Sequence, residues 1–206
     1  MTDSELLERE EELHAEAQDF LATHEVEKRL APAGRVLLVG SYVTGLMVWR
    51  DLDVCVDAVD LERALAWELV RPFLAGANRL RYEHHDEPDD RRHYFVLRLD
   101  RWKLDLSFFT AGIPPEVEAF QDDLRQRLDL ETRLVILRLK ELWHRRPEYP
   151  EDGRRLRDLQ GGPRWGSHER GARGVPRPAG GLVARFERRA DVDLAVRGED
   201  PFQLLR

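Results

Sequence analysis

Two aspartates interrupt a long apolar run over residues 37–56, LLVGSYVTGLMVWRDLDVCV. Residues i and i+2 of a strand point to the same face of a sheet, so Asp51 and Asp53 are expected to lie side by side while Leu52 faces the core. Two ionised carboxylates at this range repel each other, and a cation between them removes the repulsion. Because all of the donors are oxygens, the pattern favours a hard ion such as Mg²⁺.

A Gly-Ser pair lies upstream, between a short strand predicted over 35–39 and a short helix predicted over 42–48. Gly40 lets the backbone approach a ligand closely, and the amides that follow it can face an anion. The Ser41 hydroxyl can add a hydrogen bond to a phosphate oxygen. Since protein-bound Mg²⁺ is often shared with a substrate phosphate, the turn and the aspartates together predict a phosphate-bearing ligand.

A third carboxylate comes from the alternating run RWKLDLSFF at residues 101–109. Alternation places Asp105 on one face of a strand with Lys103 and Ser107, and it turns the leucines between them toward the core. If this strand lies beside the strand predicted over 52–56, the three aspartates converge. Lys103 then has the position and the charge to meet a phosphate.

A Gly-Ser pair, an Asp-apolar-Asp-apolar strand and a later apolar-Asp-apolar strand together resemble the nucleotidyltransferase superfamily, which includes DNA polymerase beta and the antibiotic nucleotidyltransferases. The resemblance spans roughly residues 36–109. It implies an α/β (α+β) fold with a small mixed sheet flanked by helices. The implied reaction is Mg²⁺-dependent transfer of a nucleoside monophosphate from a nucleoside triphosphate, with ATP expected, to a hydroxyl. It assigns catalysis and metal binding to Asp51, Asp53 and Asp105, and triphosphate binding to Gly40 and Ser41. Lys103 joins the predicted nucleotide-binding residues because it shares a strand face with Asp105.

The acceptor expected by family analogy is a small molecule with a hydroxyl group, such as an aminoglycoside-like or lincosamide-like compound. A rival interpretation is a non-catalytic, antitoxin-type protein of the same fold that acts through a protein partner. A third is transfer to a protein hydroxyl or to a nucleic-acid end, the latter disfavoured by the acidic net charge. The presence of all three aspartates favours the enzyme. The segment Tyr42-Val43-Thr44, where many relatives have an arginine soon after the Gly-Ser pair, favours the rival.

Composition restricts the remaining possibilities. The net charge of −7 argues against a general nucleic-acid binder, whose affinity depends on pairing Lys and Arg with phosphates, so nucleic acid is predicted to be an unlikely partner. A single cysteine, Cys55, excludes an intrachain disulfide and a cysteine-cluster metal site. No apolar run approaches the length of a membrane span, which predicts a cytoplasmic protein without membrane contact.

The pattern of charge and apolar residues divides the chain into four parts. These are an N-terminal helix (1–30), a nucleotidyltransferase core (31–112), a C-terminal helical part (113–149) and an Arg/Gly/Pro-rich tail (150–206). Eight of the chain's 14 glycines lie between residues 153 and 181, which predicts a loosely ordered tail. A frame-shifted reading of GC-rich coding sequence is a second hypothesis for the tail.

Three local features complete the sequence-based prediction. Ser4 is a candidate N-cap for the first helix, and Asp60 for a second helix that is expected to end near Pro72. The runs NRLRYEHH and HYFVLRLD are predicted to pair as a hairpin around the loop DEPDDRR. The histidines and aspartates of HHDEPDDRRH are interpreted as a charged hairpin loop rather than a metal site.

Overall fold

A five-stranded mixed sheet carries the polar residues singled out above. In the computed structural model, which describes residues 1–144, its strands are β1 (Arg35–Val39), β2 (Asp51–Asp57), β3 (Ala77–Glu87), β4 (Asp90–Leu99) and β5 (Trp102–Phe109). They lie in the order β1-β2-β5-β4-β3. β2 and β5 run parallel, and the other neighbouring strands run antiparallel. The tail predicted over 150–206 lies outside the described residues.

Six α-helices accompany the sheet in the described part of the chain: α1 (Asp3–Thr23), α2 (Val26–Leu30), α3 (Ser41–Thr44), α4 (Arg63–Leu74), α5 (Pro115–Arg127) and α6 (Leu130–His144). No helix in this part is long and apolar enough to cross a membrane. A cytoplasmic location stays a prediction.

The N-terminal helix differs from its prediction at both ends. Thr2, not Ser4, is the N-cap: it accepts a hydrogen bond from the backbone N–H of Glu5, whose carboxylate accepts one from the N–H of Thr2. This reciprocal capping box satisfies two donors that the first turn leaves without helical partners. The helix expected to continue to residue 30 is divided into α1 and α2 at Glu25, whose φ of 47° is left-handed.

The helix predicted from residue 61 begins two residues later. Asp60 is not its N-cap, because its φ of 57° places it in a left-handed turn before the helix. Glu62 occupies the cap position. Pro72 lies inside the last turn of α4 rather than ending it, since the helix continues to Leu74.

The charged segment DEPDDRR (residues 86–92) lies largely within β3 and β4, so the prediction of a loop over these residues is wrong. Only Pro88 and Asp89 connect the two strands. Asp86 faces Arg91 across the hairpin, and their side chains form an ion pair at 3.4 Å. Opposite charges on directly paired residues stabilise a hairpin, which explains why this polar run continues the sheet.

The two faces of β2 have different neighbours. Leu52, Val54 and other alternate residues are fully buried in a core beneath α1, α2 and α4. The opposite face carries the aspartates at the start of the strand and then Cys55, which is buried near Val117 of α5. Burial raises the pKa of the Cys55 thiol to about 12, so it is a packed thiol and not a nucleophile at neutral pH.

His93 on β4 is a buried histidine whose contacts suit the neutral ring. Its Nε2 lies 3.2 Å from the carbonyl oxygen of Leu61, and its Nδ1 lies 3.1 Å from the hydroxyl of Tyr82. A carbonyl only accepts, so Nε2 carries the proton and Nδ1 is left to accept from Tyr82. Burial lowers the pKa of His93 below its ordinary 6.5.

We therefore expect the free energy of unfolding to fall as the pH falls below 6.5. In that range the unfolded chain binds a proton at residue 93 that the folded chain does not. His93→Gln should make the slope of stability against pH shallower by up to about 1.4 kcal/mol per pH unit, as measured by urea denaturation across the range. An equal slope in His93→Gln and the unmodified chain would contradict the assignment.

Candidate active site

The parallel pairing of β2 with β5 brings the three aspartates together. Asp53 and Asp105 are direct partners in the register, and Asp51 lies two residues earlier on the same face of β2. One carboxylate oxygen from each residue lies within 4.8 Å of the other two. The arrangement expected from strand alternation is therefore present. The role of these residues as metal ligands stays a prediction.

A buried lysine provides the positive charge of this cluster. Lys103 Nζ lies 3.2 Å from Asp51 Oδ1 and 2.9 Å from Asp105 Oδ2. Lys103 is 7% exposed and Asp105 only 3%. The sequence predicts that Lys103 meets a phosphate, whereas the structure places its ammonium group between two carboxylates. A cation is thus accommodated where the sequence predicts metal binding.

Two aromatic residues orient the carboxylates. The Tyr94 hydroxyl donates to Asp105 Oδ2 at 2.6 Å, and the Trp49 indole N–H donates to Asp51 Oδ2 at 3.3 Å. Sequence reasoning missed both residues. Tyr94 lies on β4 opposite Ser107. Alternation along β4 could have placed Tyr94 on the same face as Asp105, but only if the register between β4 and β5 had been known.

The Gly40 turn lies directly against the aspartate cluster. Gly40 has a φ of 74°, and a Cβ at this position would lie 2.8 Å from Asp53 Oδ2. Any side chain would therefore displace either the turn or the carboxylate. The turn leads into α3, whose first residue is Ser41.

A second buried lysine holds the Ser41 hydroxyl. Lys140 Nζ on α6 lies 2.7 Å from Ser41 Oγ and 2.7 Å from the carbonyl oxygen of Leu46. Lys140 is 6% exposed, and its ammonium group lies 5.0 Å from the centre of the Trp49 ring. The sequence-based prediction did not single out Lys140. The spacing could have revealed it, because Lys140 lies four residues after the buried Ile136 and therefore on the same face of the helix.

A cavity of about 520 Å³ lies beside α3. It is lined by residues of α1, α3, α5 and α6 and by adjoining positions, among them Tyr42, Thr44 and Arg125. The rings of His14 and Tyr42 stack in its wall at 4.5 Å. The cavity therefore adjoins the residue that directly follows Ser41.

Taken together, the site combines two chemical functions. Oxygen donors of three carboxylates offer a position for a divalent cation, and a serine hydroxyl with a buried ammonium group offers a position for an anion. The two positions adjoin at the contact between Gly40 and Asp53. Such a pairing suits a ligand that presents phosphate oxygens to both a cation and the protein.

Comparisons with protein-family models and with curated proteins give no significant match. Solved structures do match. The Cid1 poly(U) polymerase with MgGTP bound is 19% identical, with a TM-score of 0.49 over 66% of this chain and 43% of that one. The polymerase core of TRAMP, an RNA surveillance complex, is 18% identical, with a TM-score of 0.45 over 64% and 42%. A cytoplasmic RNA terminal U-transferase is 18% identical, with a TM-score of 0.44 over 69% and 46%.

This chain spans less than half the length of each of these proteins. At these identities and TM-scores the likeness assigns no activity to this chain, whose chemistry depends on its own residues. The predicted fold class, a small mixed sheet flanked by helices, is confirmed by the order and direction of the five strands. The matched polymerases and transferase are nucleotidyltransferase-fold proteins, as the sequence resemblance predicts.

One prediction from composition is contradicted by these matches. The net charge of −7 predicts that nucleic acid is an unlikely partner. The matched structures include a poly(U) polymerase and an RNA terminal U-transferase, proteins that act on RNA, so that prediction is wrong. Its physical error is the use of a whole-chain charge, which does not describe the local field at a site where a bound cation reverses the sign.

The place of Lys103 among the carboxylates generates a prediction about stability. Lys103→Met leaves two buried carboxylates facing each other, and the loss of one partner from a buried pair costs about 3–5 kcal/mol. We expect millimolar Mg²⁺ to recover about 2–3 kcal/mol of this loss by replacing the ammonium group, as measured by thermal unfolding with and without the metal.

Lys140→Met is the matched control for that experiment. It also removes a buried ammonium group, but one that lies on Ser41 and a carbonyl oxygen rather than between carboxylates. Its loss of stability should not respond to Mg²⁺. Equal responses of the two variants to the metal would show that Lys103 does not occupy a cation position.

Proposed function

We propose that this chain transfers a nucleoside monophosphate from a nucleoside triphosphate to a hydroxyl group. The observation that carries the proposal is the contact between two features. Three carboxylates with donor atoms within 4.8 Å of one another lie against the Gly40 turn, and the next residue, Ser41, is held by Lys140. This is the arrangement that a metal-bound triphosphate requires.

The residues present fit Mg²⁺. The three donors are carboxylate oxygens, and the position already accommodates a positive charge in the form of Lys103. Magnesium bound there would neutralise the triphosphate and make the acceptor hydroxyl easier to deprotonate. Replacement of the ammonium group by the metal would free Lys103 to pair with a phosphate oxygen, the role that strand alternation predicts for it.

The protein's own groups have separate tasks in this mechanism. Ser41 and Lys140 would hold phosphate oxygens beside the turn, where Gly40 lets the backbone approach. Asp105, fixed by Tyr94, is the carboxylate that we assign to accept the proton of the attacking hydroxyl. Because Asp51 is fixed by Trp49 as well, the carboxylates reach their bound geometry with little reorganisation.

Two classes of acceptor follow from different observations. The sequence predicts a small hydroxyl compound, and the cavity beside Tyr42 has the volume for one. The RNA-related names of the matched proteins favour the 3′ hydroxyl of an RNA. The same three carboxylates would serve both, so the acceptor is decided by assay.

In that assay, labelled ATP or UTP with Mg²⁺ is offered to an RNA oligonucleotide and to a panel of aminoglycoside and lincosamide compounds. Pyrophosphate release and labelling of the acceptor are measured. We expect Asp53→Asn to reduce transfer at least about 100-fold, because several kcal/mol of metal-dependent charge stabilisation are lost. Asp57→Asn, on the same face of β2 but at its far end, is the matched control.

Labelling of an RNA that ends in a 3′ hydroxyl, but not of the same RNA with a 3′-deoxy end, identifies the nucleic-acid acceptor. Labelling of a small compound identifies the other class. Absence of transfer to every acceptor, with Asp53→Asn indistinguishable from the unmodified chain in nucleotide binding, would remove the proposed function.

The pairing of Ser41 with Lys140 gives a prediction about nucleotide affinity. Ser41→Ala and Lys140→Met should each weaken binding of the Mg²⁺–triphosphate complex by about 10-fold or more, the loss expected for one charge-assisted hydrogen bond of about 1.5–3 kcal/mol. Titration calorimetry measures it. Lys28→Met, which removes an exposed ammonium group on α2, should leave the affinity unchanged. Unchanged affinity in the first two variants would show that the triphosphate lies elsewhere.

A further inference from the structure

A second group of metal-ligating side chains lies at the turn between β3 and β4. His85 and Glu87 come from the end of β3, and Asp90 begins β4. One donor atom from each lies within 4.8 Å of the other two. The two-residue connection through Pro88 and Asp89 brings them together. The group is separate from the three aspartates, which lie on β2 and β5.

The donor distances are close to those of a zinc site. His85 Nδ1 lies 3.6 Å from Asp90 Oδ2 and 3.9 Å from Glu87 Oε2. Bond lengths of about 2.0–2.1 Å in a tetrahedral zinc site put neighbouring donors about 3.3 Å apart. Small movements of side chains would therefore bring the three donors onto one face of a tetrahedron.

Two charged side chains lie behind the donors. Glu83 Oε2 lies 3.4 Å from the other ring nitrogen of His85, Nε2. A hydrogen bond from His85 Nε2–H to this carboxylate would fix the tautomer that leaves Nδ1 unprotonated for a metal, and a small movement of Glu83 would form it. Arg92 Nε lies 2.9 Å from Asp90 Oδ1, so the arginine pairs with one oxygen while the other faces His85.

We propose that His85, Glu87 and Asp90 bind Zn²⁺ or a similar first-row transition ion. One imidazole and two carboxylates suit such an ion better than Mg²⁺, which prefers oxygen donors and octahedral geometry. Asp90 is 2% exposed, and the side chain of Glu87 is 53% exposed, so the site is anchored on the sheet and open on one side.

Binding would join the two strands at the end of their hairpin. Because the ion binds the folded hairpin and not the unfolded chain, it would raise the stability of this part of the sheet. The competing explanation is a network of ion pairs in which His85, Arg81 and Arg92 together balance the carboxylates of Glu83, Glu87 and Asp90. The two explanations differ in whether a transition metal binds.

The test is a titration of the full, metal-free chain with Co²⁺, whose visible absorption reports nitrogen and oxygen ligation. The Asp51→Asn/Asp53→Asn variant is titrated in parallel to remove the other acidic cluster. We expect one equivalent of Co²⁺ in that variant, displaced by Zn²⁺ but not by Mg²⁺. His85→Asn should abolish the absorption, and Glu83→Gln should weaken affinity about 10–100-fold, as the loss of a supporting carboxylate does.

His84→Asn is the matched control. The ring of His84 lies 5.0 Å from the ring of His93. His84 directly precedes His85 and therefore faces the opposite side of the strand, so the variant should bind Co²⁺ normally. If His85→Asn does not fold, as judged by circular dichroism, Glu87→Gln makes the same test at an exposed position. No Co²⁺ absorption in the metal-free chain, or equal absorption in His85→Asn and His84→Asn, would establish the network of ion pairs and overturn the proposal.

Discussion

Electrostatic repulsion among the three aspartates is the constraint on which the rest of the site depends. Two unit charges 4 Å apart repel by about 4 kcal/mol at an effective dielectric constant of about 20, so the cluster needs positive charge. Lys103 supplies it from β5 itself, two residues before Asp105. The same constraint that stabilises the chain with an ammonium group makes the position attractive to a divalent cation. Folding and the proposed catalysis therefore use one electrostatic arrangement.

The parallel contact between β2 and β5 is what makes this cluster possible. The two strands are distant in sequence, and α4 with the β3–β4 hairpin lies between them along the chain. That insertion also places β4 on the far side of β5, where Tyr94 reaches Asp105. His85 packs edge-on against the Tyr94 ring, with centroids 6.2 Å apart. The hairpin thus supports the candidate active site through one shared aromatic side chain.

Local patterns predict some of these residues and not others. Strand alternation is a local property, so Asp51, Asp53 and Asp105 were identifiable, and so was the Gly40 turn. Lys140 acts on a residue far from it in sequence, and its role depends on how α6 packs. The hairpin was misjudged for a related reason. A charged run is typical of a loop only when its charges face water, and here opposite charges pair across the strands.

The two proposed metal positions also explain why one chain would keep two kinds of cation apart. A transition ion binds nearly any nitrogen or oxygen ligand more tightly than Mg²⁺ does, so affinity alone cannot reserve the aspartate cluster for magnesium. The type of ligand and the presence of a competing charge can make the cluster selective for magnesium. The three ligands of the cluster are carboxylates, without an imidazole. Lys103 competes with a metal ion for two of them, so an ion binds favourably when it brings a phosphate with which the displaced ammonium group can pair. At the hairpin, His85 supplies a nitrogen donor beside the carboxylates of Glu87 and Asp90, and this mixed donor set favours a transition ion over Mg²⁺.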